Sequence, residues 1–257
     1  MVKLIKALAA SAGVLALVAS GVASASSAGA AAPAPYTCAG GDIPSGSYAS
    51  LTVTGPCEVP DNAVISVAGN VYLAPRAVLD AQSAPSTITI GGNVNAAAGS
   101  LLGLGCQPDV AYARHPCSVD PAGSSTITIK GNITAVRADT VLINGVTVDG
   151  NVTLVGGGGA FPWSVKNNVI RGNLTITGVT SEFMVILRNT IGGNVTLVKI
   201  TETDTDPNPA VEIVVNKIGG NLVCVALLPR AAGGFIPGQV NTVGGKSIGQ
   251  CAHLVSG

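Results

Sequence analysis

A Gly-Asn pair recurs along this chain about every 20 residues, and this repeat restricts the possible folds more than any other feature. The pair stands at 69–70, 92–93, 131–132, 150–151, 172–173, 193–194 and 220–221, and Gly245-Lys246 is an altered eighth copy. Successive Asn positions are 23, 39, 19, 22, 21 and 27 residues apart. The step of 39 is close to two repeats, so we expect a coil there that has lost the motif. A repeat of this length is typical of a solenoid.

Apolar residues hold fixed positions around each copy of the motif. Three residues before the Asn position stand Val67, Ile90, Ile129, Val148, Ile170, Ile191, Ile218 and Val243. One residue after it stand Val71, Val94, Ile133, Val152, Leu174, Val195 and Leu222. These residues alternate with polar ones, as in strands with one buried face.

Short alternating strands in a unit of this length predict one coil of a β-helix, with coils stacked roughly 4.8 Å apart. We therefore predict an all-β fold, a right-handed parallel β-helix (solenoid) of about eight to nine coils with disulfide-capped ends. The right hand is favoured because the steps are uneven and longer than a hexapeptide-based coil. A β-sandwich is the alternative, but it does not predict residue columns at a near-constant period.

Two columns of Asn residues are predicted to form structural ladders. Asn suits the corner of a coil because it tolerates left-handed backbone angles, and the preceding Gly allows close approach. Stacked amides can then hydrogen-bond from coil to coil. The first ladder comprises Asn132, Asn151, Asn173, Asn194 and Asn221. Five residues before the motif, where the early copies have Ile or Val, a second polar stack comprises Asn168, Asn189, Asn216 and Asn241.

Six cysteines predict three disulfides, since an even number in an exported chain is typical of a disulfide framework. Six cysteines allow fifteen connectivities, and their grouping along the chain favours Cys38–Cys57, Cys106–Cys117 and Cys224–Cys251. The first and third pairs would cap the outermost coils, whose sheet edges are otherwise exposed. A zinc site is the alternative, but no Cys-x-x-Cys is present.

The first residues resemble a secretory signal, with Lys3 and Lys6 before an apolar core and a small-residue cleavage site. We predict a signal peptide at 1–25, an Ala/Pro-rich linker at 26–37, and a single β-solenoid domain at 38–257. The expected location is secreted, or extracellular, with no membrane span in the mature chain. Without Lys3 and Lys6, 11 basic residues face 13 acidic ones, so no nucleic-acid partner is expected.

The columns resemble those of a group of exported actinobacterial right-handed β-helix proteins of unassigned function. The resemblance also rests on Cys224 after the last Gly-Asn pair and on the ending Asn241-Thr-Val-Gly-Gly-Lys-Ser-Ile-Gly-Gln-Cys251. It covers the whole mature chain and departs at Lys246, where the usual residue is Asn. It implies the fold and export, but no activity and no functional residues.

Few charged residues could carry catalysis. A polysaccharide hydrolase or lyase of this fold needs paired or clustered carboxylates on its coil faces, and we expect none. Lys130, Asp149 and Arg171 each stand two residues before the Asn position. They are interpreted as a salt-bridge ladder, and a lyase-like site is the alternative. We therefore assign no catalytic residue.

One insertion has the spacing of calcium ligands. Alternating oxygen-bearing side chains resemble the start of a calcium loop, and the candidate ligands are Asp204, Asp206, Asn208 and Glu212. Two prolines interrupt the insertion and no Gly supplies the sharp turn, so a solvated acidic turn is the alternative. Calcium is the one candidate cofactor.

Exposed Thr columns and one aromatic loop are the remaining candidate binding features. One column comprises Thr134, Thr153, Thr175 and Thr196, and a second comprises Ser66, Thr89, Thr128, Thr147, Thr190 and Thr242, interrupted by Val169 and Lys217. A regular Thr array can order water or ice, but Thr is also an ordinary exposed strand residue, and the interruptions in the columns favour that interpretation. Trp163 follows a Gly-rich loop and could stack on a sugar or fold back over a coil.

These features favour a secreted structural or interaction module that meets a glycan or another surface at the cell envelope or extracellular matrix. A carbohydrate-active enzyme of the same fold is one alternative. An ice- or surface-binding protein that uses its Thr columns is the other.

Overall fold

The computed structural model describes residues 32–108, 113–205, 207–233, 236 and 240–255. Within these ranges the chain forms strands and turns, with no helix. No described segment is therefore a helix long and apolar enough to cross a membrane. The predicted signal peptide at 1–25 lies outside the described residues.

Three stacks of parallel strands wind around one core. The first stack precedes the Asn corner and comprises β3 (Gly46–Val53), β5 (Ala63–Val67), β8 (Ser86–Ile90), β11 (Thr126–Ile129), β14 (Val146–Val148), β17 (Val169–Ile170), β21 (Thr190–Ile191), β25 (Lys217–Ile218) and β28 (Thr242–Val243). The second stack follows that corner and comprises β1 (Ala34–Cys38), the end of β3, β6 (Val71–Leu73), β9 (Val94–Ala96), β12 (Ile133–Val136), β15 (Val152–Val155), β18 (Leu174–Thr177), β22 (Val195–Val198), β26 (Leu222–Val225) and β29 (Ser247–Gly249). These two stacks form a single 18-stranded sheet.

The third stack completes each coil. It comprises β2 (Gly41–Asp42), β4 (Pro56–Glu58), β7 (Val78–Ala81), β10 (Leu101–Leu104), β13 (Thr140–Asn144), β16 (Trp163–Lys166), β20 (Met184–Leu187), β24 (Val211–Val214) and β27 (Ala231–Ala232). A separate pair comprises β19 (Thr180–Ser181) and β23 (Thr201–Glu202). The nine strands of the third stack correspond to nine coils, which confirms the predicted parallel β-helix. Right-handed winding is the sense that parallel crossover connections favour.

The core lies between the three stacks and is filled by the predicted inward columns. Val67, Ile90 and Ile129 are buried, as are Val71, Val94 and their counterparts in later coils. Each buried Val, Leu or Ile contributes about 1.5–3 kcal/mol by leaving water. The alternation of apolar and polar residues therefore fixes which side of each strand faces the core.

The long step between Asn93 and Asn132 does not contain an extra coil. Strand β8 pairs directly with β11, and β9 pairs directly with β12. The additional residues instead form an insertion between β10 and β11, of which 105–108 and 113–125 are described. The prediction of a coil without the motif is therefore wrong, because sequence distance alone does not distinguish a coil from an insertion.

All three predicted disulfides are present, with Cα–Cα distances of 6.3, 5.0 and 5.4 Å for Cys38–Cys57, Cys106–Cys117 and Cys224–Cys251. The first and third lie near the two ends of the solenoid. The second closes the insertion between β10 and β11. Because no cysteine is free, the zinc alternative is wrong. The first strand begins at Ala34, so the last residues of the predicted linker lie in the sheet.

Candidate binding groove

The Asn residues of the repeat form a ladder along one corner, here called the outer ladder: Asn70, Asn93, Asn132, Asn151, Asn173, Asn194 and Asn221. The side-chain Oδ1 of each accepts the backbone N–H of the same position in the next coil, for example from Asn151 to Asn132 at 2.8 Å and from Asn173 to Asn151 at 2.9 Å. At the altered copy, the backbone N–H of Lys246 donates to Asn221 Oδ1 at 2.8 Å. The hydrogen bonds of the ladder therefore extend to the backbone of Lys246, whose side chain does not take part.

The outer-ladder residues do not adopt the left-handed backbone that was expected of them. None of them is among the non-glycine residues with positive φ, which lie at the other two corners, as at Lys199 (φ 53°) and Arg188 (φ 56°). Asn is used here for its side-chain acceptor instead. The preceding Gly serves close approach, since a Cβ on Gly172 would lie 2.5 Å from Asn151 Oδ1.

A second, inner ladder is buried and comprises Asn168, Asn189, Asn216 and Asn241. Asn189 Nδ2 donates to Val165 O at 2.7 Å and to Asn216 Oδ1 at 2.9 Å. Its Oδ1 accepts the backbone N–H of Asn168 at 3.0 Å and the Nδ2 of Asn168 at 2.9 Å. The Oδ1 and Nδ2 atoms of Asn189 therefore both have hydrogen-bond partners, as a buried amide requires. The inner Oδ1 atoms bond toward the N-terminal coils, whereas the outer ones bond toward the C-terminal coils.

The second stack places one Thr column in strict register. Strands β12, β15, β18 and β22 align Thr134, Thr153, Thr175 and Thr196. Asn95 and Tyr72 continue this column toward the N-terminal end. Within the described part of the chain, these four hydroxyl groups have no hydrogen-bond partner, so they remain available to a ligand.

The outer ladder and this Thr column together line a shallow groove, here called the Asn–Thr groove. Its volume is about 480 Å³, and it is lined by Asn93, Asn95, Asn132, Thr134, Asn151, Thr153, Asn173 and Thr175. None of these residues is charged, and none is a nucleophile with an adjacent base. The arrangement supplies repeated hydrogen-bonding groups for an uncharged ligand.

A charged ladder and an apolar column flank the Asn–Thr groove. On one side, Asp149 pairs with Lys130 Nζ at 3.2 Å and with Arg171 Nε at 2.9 Å, as the salt-bridge interpretation predicted. Such exposed pairs contribute about 0–1 kcal/mol each. On the other side, exposed Val136 and Val155 are adjacent in register. The groove therefore has a neutral polar floor and one apolar edge.

The second Thr column lies on a different stack. Ser66, Thr89, Thr128 and Thr147 are in register on the first stack, and Val169 interrupts the column next. The Asn corner separates it from the column of the groove. The two Thr columns therefore do not form one uninterrupted Thr surface.

Trp163 is buried and folds back over a coil, the second of the two predicted alternatives. Its side chain is 1% exposed, and its Nε1 donates to Asp139 O at 2.9 Å. The exposed aromatic residue of this loop is Phe161. Trp163 is consequently a core residue and not a sugar-stacking platform.

Three carboxylates align on the third stack, contrary to the expectation that no coil face clusters them. Asp42, Glu58 and Asp80 occupy one register column on β2, β4 and β7. The sequence did not indicate this alignment because Asp42 and Glu58 precede the first Gly-Asn pair, so no motif marks their coils. In the described part of the chain, no group of three acidic, His or Cys side chains is placed to hold a metal ion.

The candidate calcium ligands are only partly described. Asp206 lies outside the described residues, Asn208 is exposed, and Glu212 lies on β24. Burial first, and the charge of Glu202 second, raise the pKa of Glu212 to about 7. Calcium binding at Asp204, Asp206, Asn208 and Glu212 stays a prediction.

Glu202, which was not among the candidate ligands, organises this insertion. Its Oε2 accepts the backbone N–H of Met184 at 3.1 Å, and its Oε1 accepts that of Ala210 at 2.9 Å. A buried carboxylate that accepts two backbone N–H groups anchors the ends of the insertion to the third stack. Its role in the described structure is therefore to hold the loop.

Three disulfides in a chain of this size are compatible with an extracellular protein. The Asn–Thr groove, the acidic column and the acidic insertion are the features from which a function can be built. No protein-family model matches the chain, and no curated protein or solved structure shows significant similarity to it.

Proposed function

We propose that this protein is a secreted, non-catalytic module that binds an extended, uncharged polysaccharide of the cell envelope or extracellular matrix along the Asn–Thr groove. The observation that carries the proposal is the register of Asn amides and unpartnered Thr hydroxyls, repeated once per coil at about 4.8 Å. A polymer with a short repeating unit can contact several coils of this surface at once. Export is part of the proposal, and the disulfides and the signal-like first 25 residues support it.

Each coil offers complementary hydrogen-bonding groups for sugar hydroxyls. An Asn Nδ2 carries two hydrogens, and Asn151, for example, uses one of them on Asn132 Oδ1 at 3.1 Å. The other hydrogen has no partner within the described chain. Thr153 adds a hydroxyl that both donates and accepts. Because no charged group lines the groove, neutral polysaccharides are favoured over acidic ones.

The apolar edge and one aromatic side chain suit the less polar faces of sugar rings. Tyr72 is 43% exposed and lies in the same register column as Thr134, two coils away. Its ring offers a rigid surface for stacking at the N-terminal end of the groove. Several weak contacts of this kind, repeated along one polymer, combine into useful affinity.

A carbohydrate-active enzyme is the second candidate, and the acidic column favours it. Retaining glycosidases hold two carboxyl groups about 5–5.5 Å apart, and in-register residues of neighbouring coils are separated by a similar distance. The column lies on the third stack, away from the Asn–Thr groove. Release of reducing ends from polysaccharides, abolished by Glu58→Gln, would support the enzyme instead of the binding module.

The test is a glycan array followed by titration calorimetry with the neutral polysaccharides it identifies. The double variant Thr153→Val/Thr175→Val removes two hydroxyl groups and keeps side-chain size. We expect affinity to fall about tenfold or more, because each hydrogen bond contributes about 0.5–1.5 kcal/mol. Thr128→Val/Thr147→Val, on the first stack, is the matched control and should bind like the native protein.

Two results would contradict the proposal. One is the absence of binding to every neutral polysaccharide, and the other is equal affinity of the groove variant and its control. Thermal hysteresis in freezing solutions that is lost in the groove variant would identify ice as the ligand instead.

A further inference from the structure

A second pocket lies on the outward side of the third stack, under the disulfide-closed insertion. Its volume is about 200 Å³, and its walls include Leu142, Phe183 and Val185, with His115 and Lys166 as the groups that can carry charge. The insertion is held there by contacts such as Asn167 Nδ2 to Ala113 O at 2.8 Å. The pocket is therefore apolar apart from a few nitrogen groups.

Lys166 lacks an anionic partner in this pocket. Within the described residues, no carboxylate oxygen lies within 4.0 Å of its Nζ, whose one hydrogen bond reaches Arg114 O at 3.5 Å. Lys166 is half-buried, and charges withdrawn from water are normally paired in proteins. Burial lowers the pKa of the Lys166 ammonium, and a bound anion would oppose this shift.

Asn144 lies beside Lys166 but does not line the pocket. The two residues are register partners on neighbouring strands. Asn144 is fully buried, and its Nδ2 has no acceptor within the described chain. Its Oδ1 accepts the hydroxyl of Ser164, a pocket residue, at 3.2 Å. Lys166 is thus the donor without an anionic partner that the pocket itself presents.

His115 adds no second positive charge at neutral pH. Its Nε2 lies 2.9 Å from Gln82 Oε1. Burial first, and the charge of Lys166 second, lower the pKa of His115 to about 4, while Asp80 opposes the shift. The pocket therefore presents a single positive charge, at Lys166, against apolar walls.

We infer that this pocket binds a small monocarboxylate with an apolar body. The carboxylate would pair with Lys166, while Leu142, Phe183 and Val185 contact the apolar part. A compact polar anion such as phosphate satisfies the charge but leaves these walls without a partner. The inference does not depend on the Asn–Thr groove, which lies on another stack.

Titration calorimetry of the full protein with benzoate and butyrate tests the inference, with benzamide and butyramide as uncharged probes of similar shape. We expect saturable binding of at least one carboxylate and affinity at least tenfold weaker for its amide. Lys166→Met keeps side-chain length and removes the charge, so it should weaken carboxylate binding at least tenfold. Lys130→Met is the matched control and should leave binding unchanged.

A labelling experiment keeps the test decisive if Lys166→Met does not fold. The native protein is acylated with an amine-reactive ester, and mass spectrometry follows Lys166 and Lys130. A bound carboxylate should slow labelling of Lys166 and leave Lys130 unaffected. Absence of both binding and protection would overturn the inference, as would phosphate binding and protecting as well as benzoate does.

Discussion

Glu212 shows how one side chain makes the stability of the protein depend on pH. Burial and the neighbouring Glu202 raise its pKa from 4.5 to about 7, so between these values the folded state binds more protons than the unfolded state. The contribution of Glu212 is therefore most favourable below pH 4.5 and is lost as the pH rises through about 7. His115 acts in the opposite direction, because its lowered pKa costs stability as the pH falls from 6.5 to about 4.

Glu212→Gln should remove the loss of stability at high pH. Gln stays uncharged, so the variant should gain stability relative to the native protein between about pH 6 and pH 8. His115 is present in both proteins, so its contribution cancels in this difference. Urea unfolding at the two pH values measures the difference. A constant difference between the two proteins across this range would mean that Glu212 does not titrate there.

The two Asn ladders use the same side-chain amide, but its contribution to stability depends on whether the ladder is exposed or buried. In the outer ladder, water can replace a lost partner. In the inner ladder, loss of one amide leaves the N–H of the preceding Asn and a backbone carbonyl without partners in the core. An unsatisfied buried group costs about 1–3 kcal/mol, so the inner ladder is the more sensitive element.

Asn189→Leu should therefore destabilise the protein by at least about 3 kcal/mol, since it deprives both Asn168 and Val165 O of hydrogen bonds. The matched change in the outer ladder, Asn173→Leu, should cost only about 1 kcal/mol. The free energy of unfolding in urea distinguishes them. Equal losses would show that burial does not set the contribution of these amides.

The sequence revealed those elements that keep a fixed distance from the Gly-Asn pair. The inward columns, both ladders and the salt-bridge ladder of Lys130, Asp149 and Arg171 all do so. The third stack does so only in part, since β7, β10 and β13 each begin eight residues after the Asn position, whereas β16, β20 and β24 begin 12, 11 and 17 residues after it. The pocket at Lys166 lies where this distance varies, and Asp42 and Glu58 precede the first Gly-Asn pair. Neither the pocket nor the acidic column could therefore be aligned in advance.

At the scale of the whole molecule, each coil contacts only its neighbours, so the two ends depend on local cross-links. Solenoids of this kind lose structure from the ends inward when a cap is weakened. The Cys224–Cys251 disulfide joins the last two coils of the second stack. It closes a segment with a sequence separation of 27 residues, for which chain entropy predicts a contribution of about 2–4 kcal/mol.

Replacing Cys224 and Cys251 with Ala should accelerate amide hydrogen exchange in 222–255 and leave the middle coils, around 146–176, unchanged. Hydrogen-exchange mass spectrometry measures both regions in one experiment. Replacing Cys106 and Cys117 is the control, since that disulfide closes an insertion and should not affect the C-terminal coils. A uniform increase along the chain would indicate that the solenoid unfolds as one cooperative unit.

The insertion at 105–125 has a practical consequence for protein engineering. The strands on either side of it, β10 and β11, keep their pairing with neighbouring coils, so the stacking does not depend on how much chain lies between them. If a foreign peptide were inserted at the equivalent turn of another coil, the chain would leave the solenoid after the third-stack strand of one coil and return at the first-stack strand of the next. The scaffold can thus display several loops on one side, at a spacing fixed by the distance between coils.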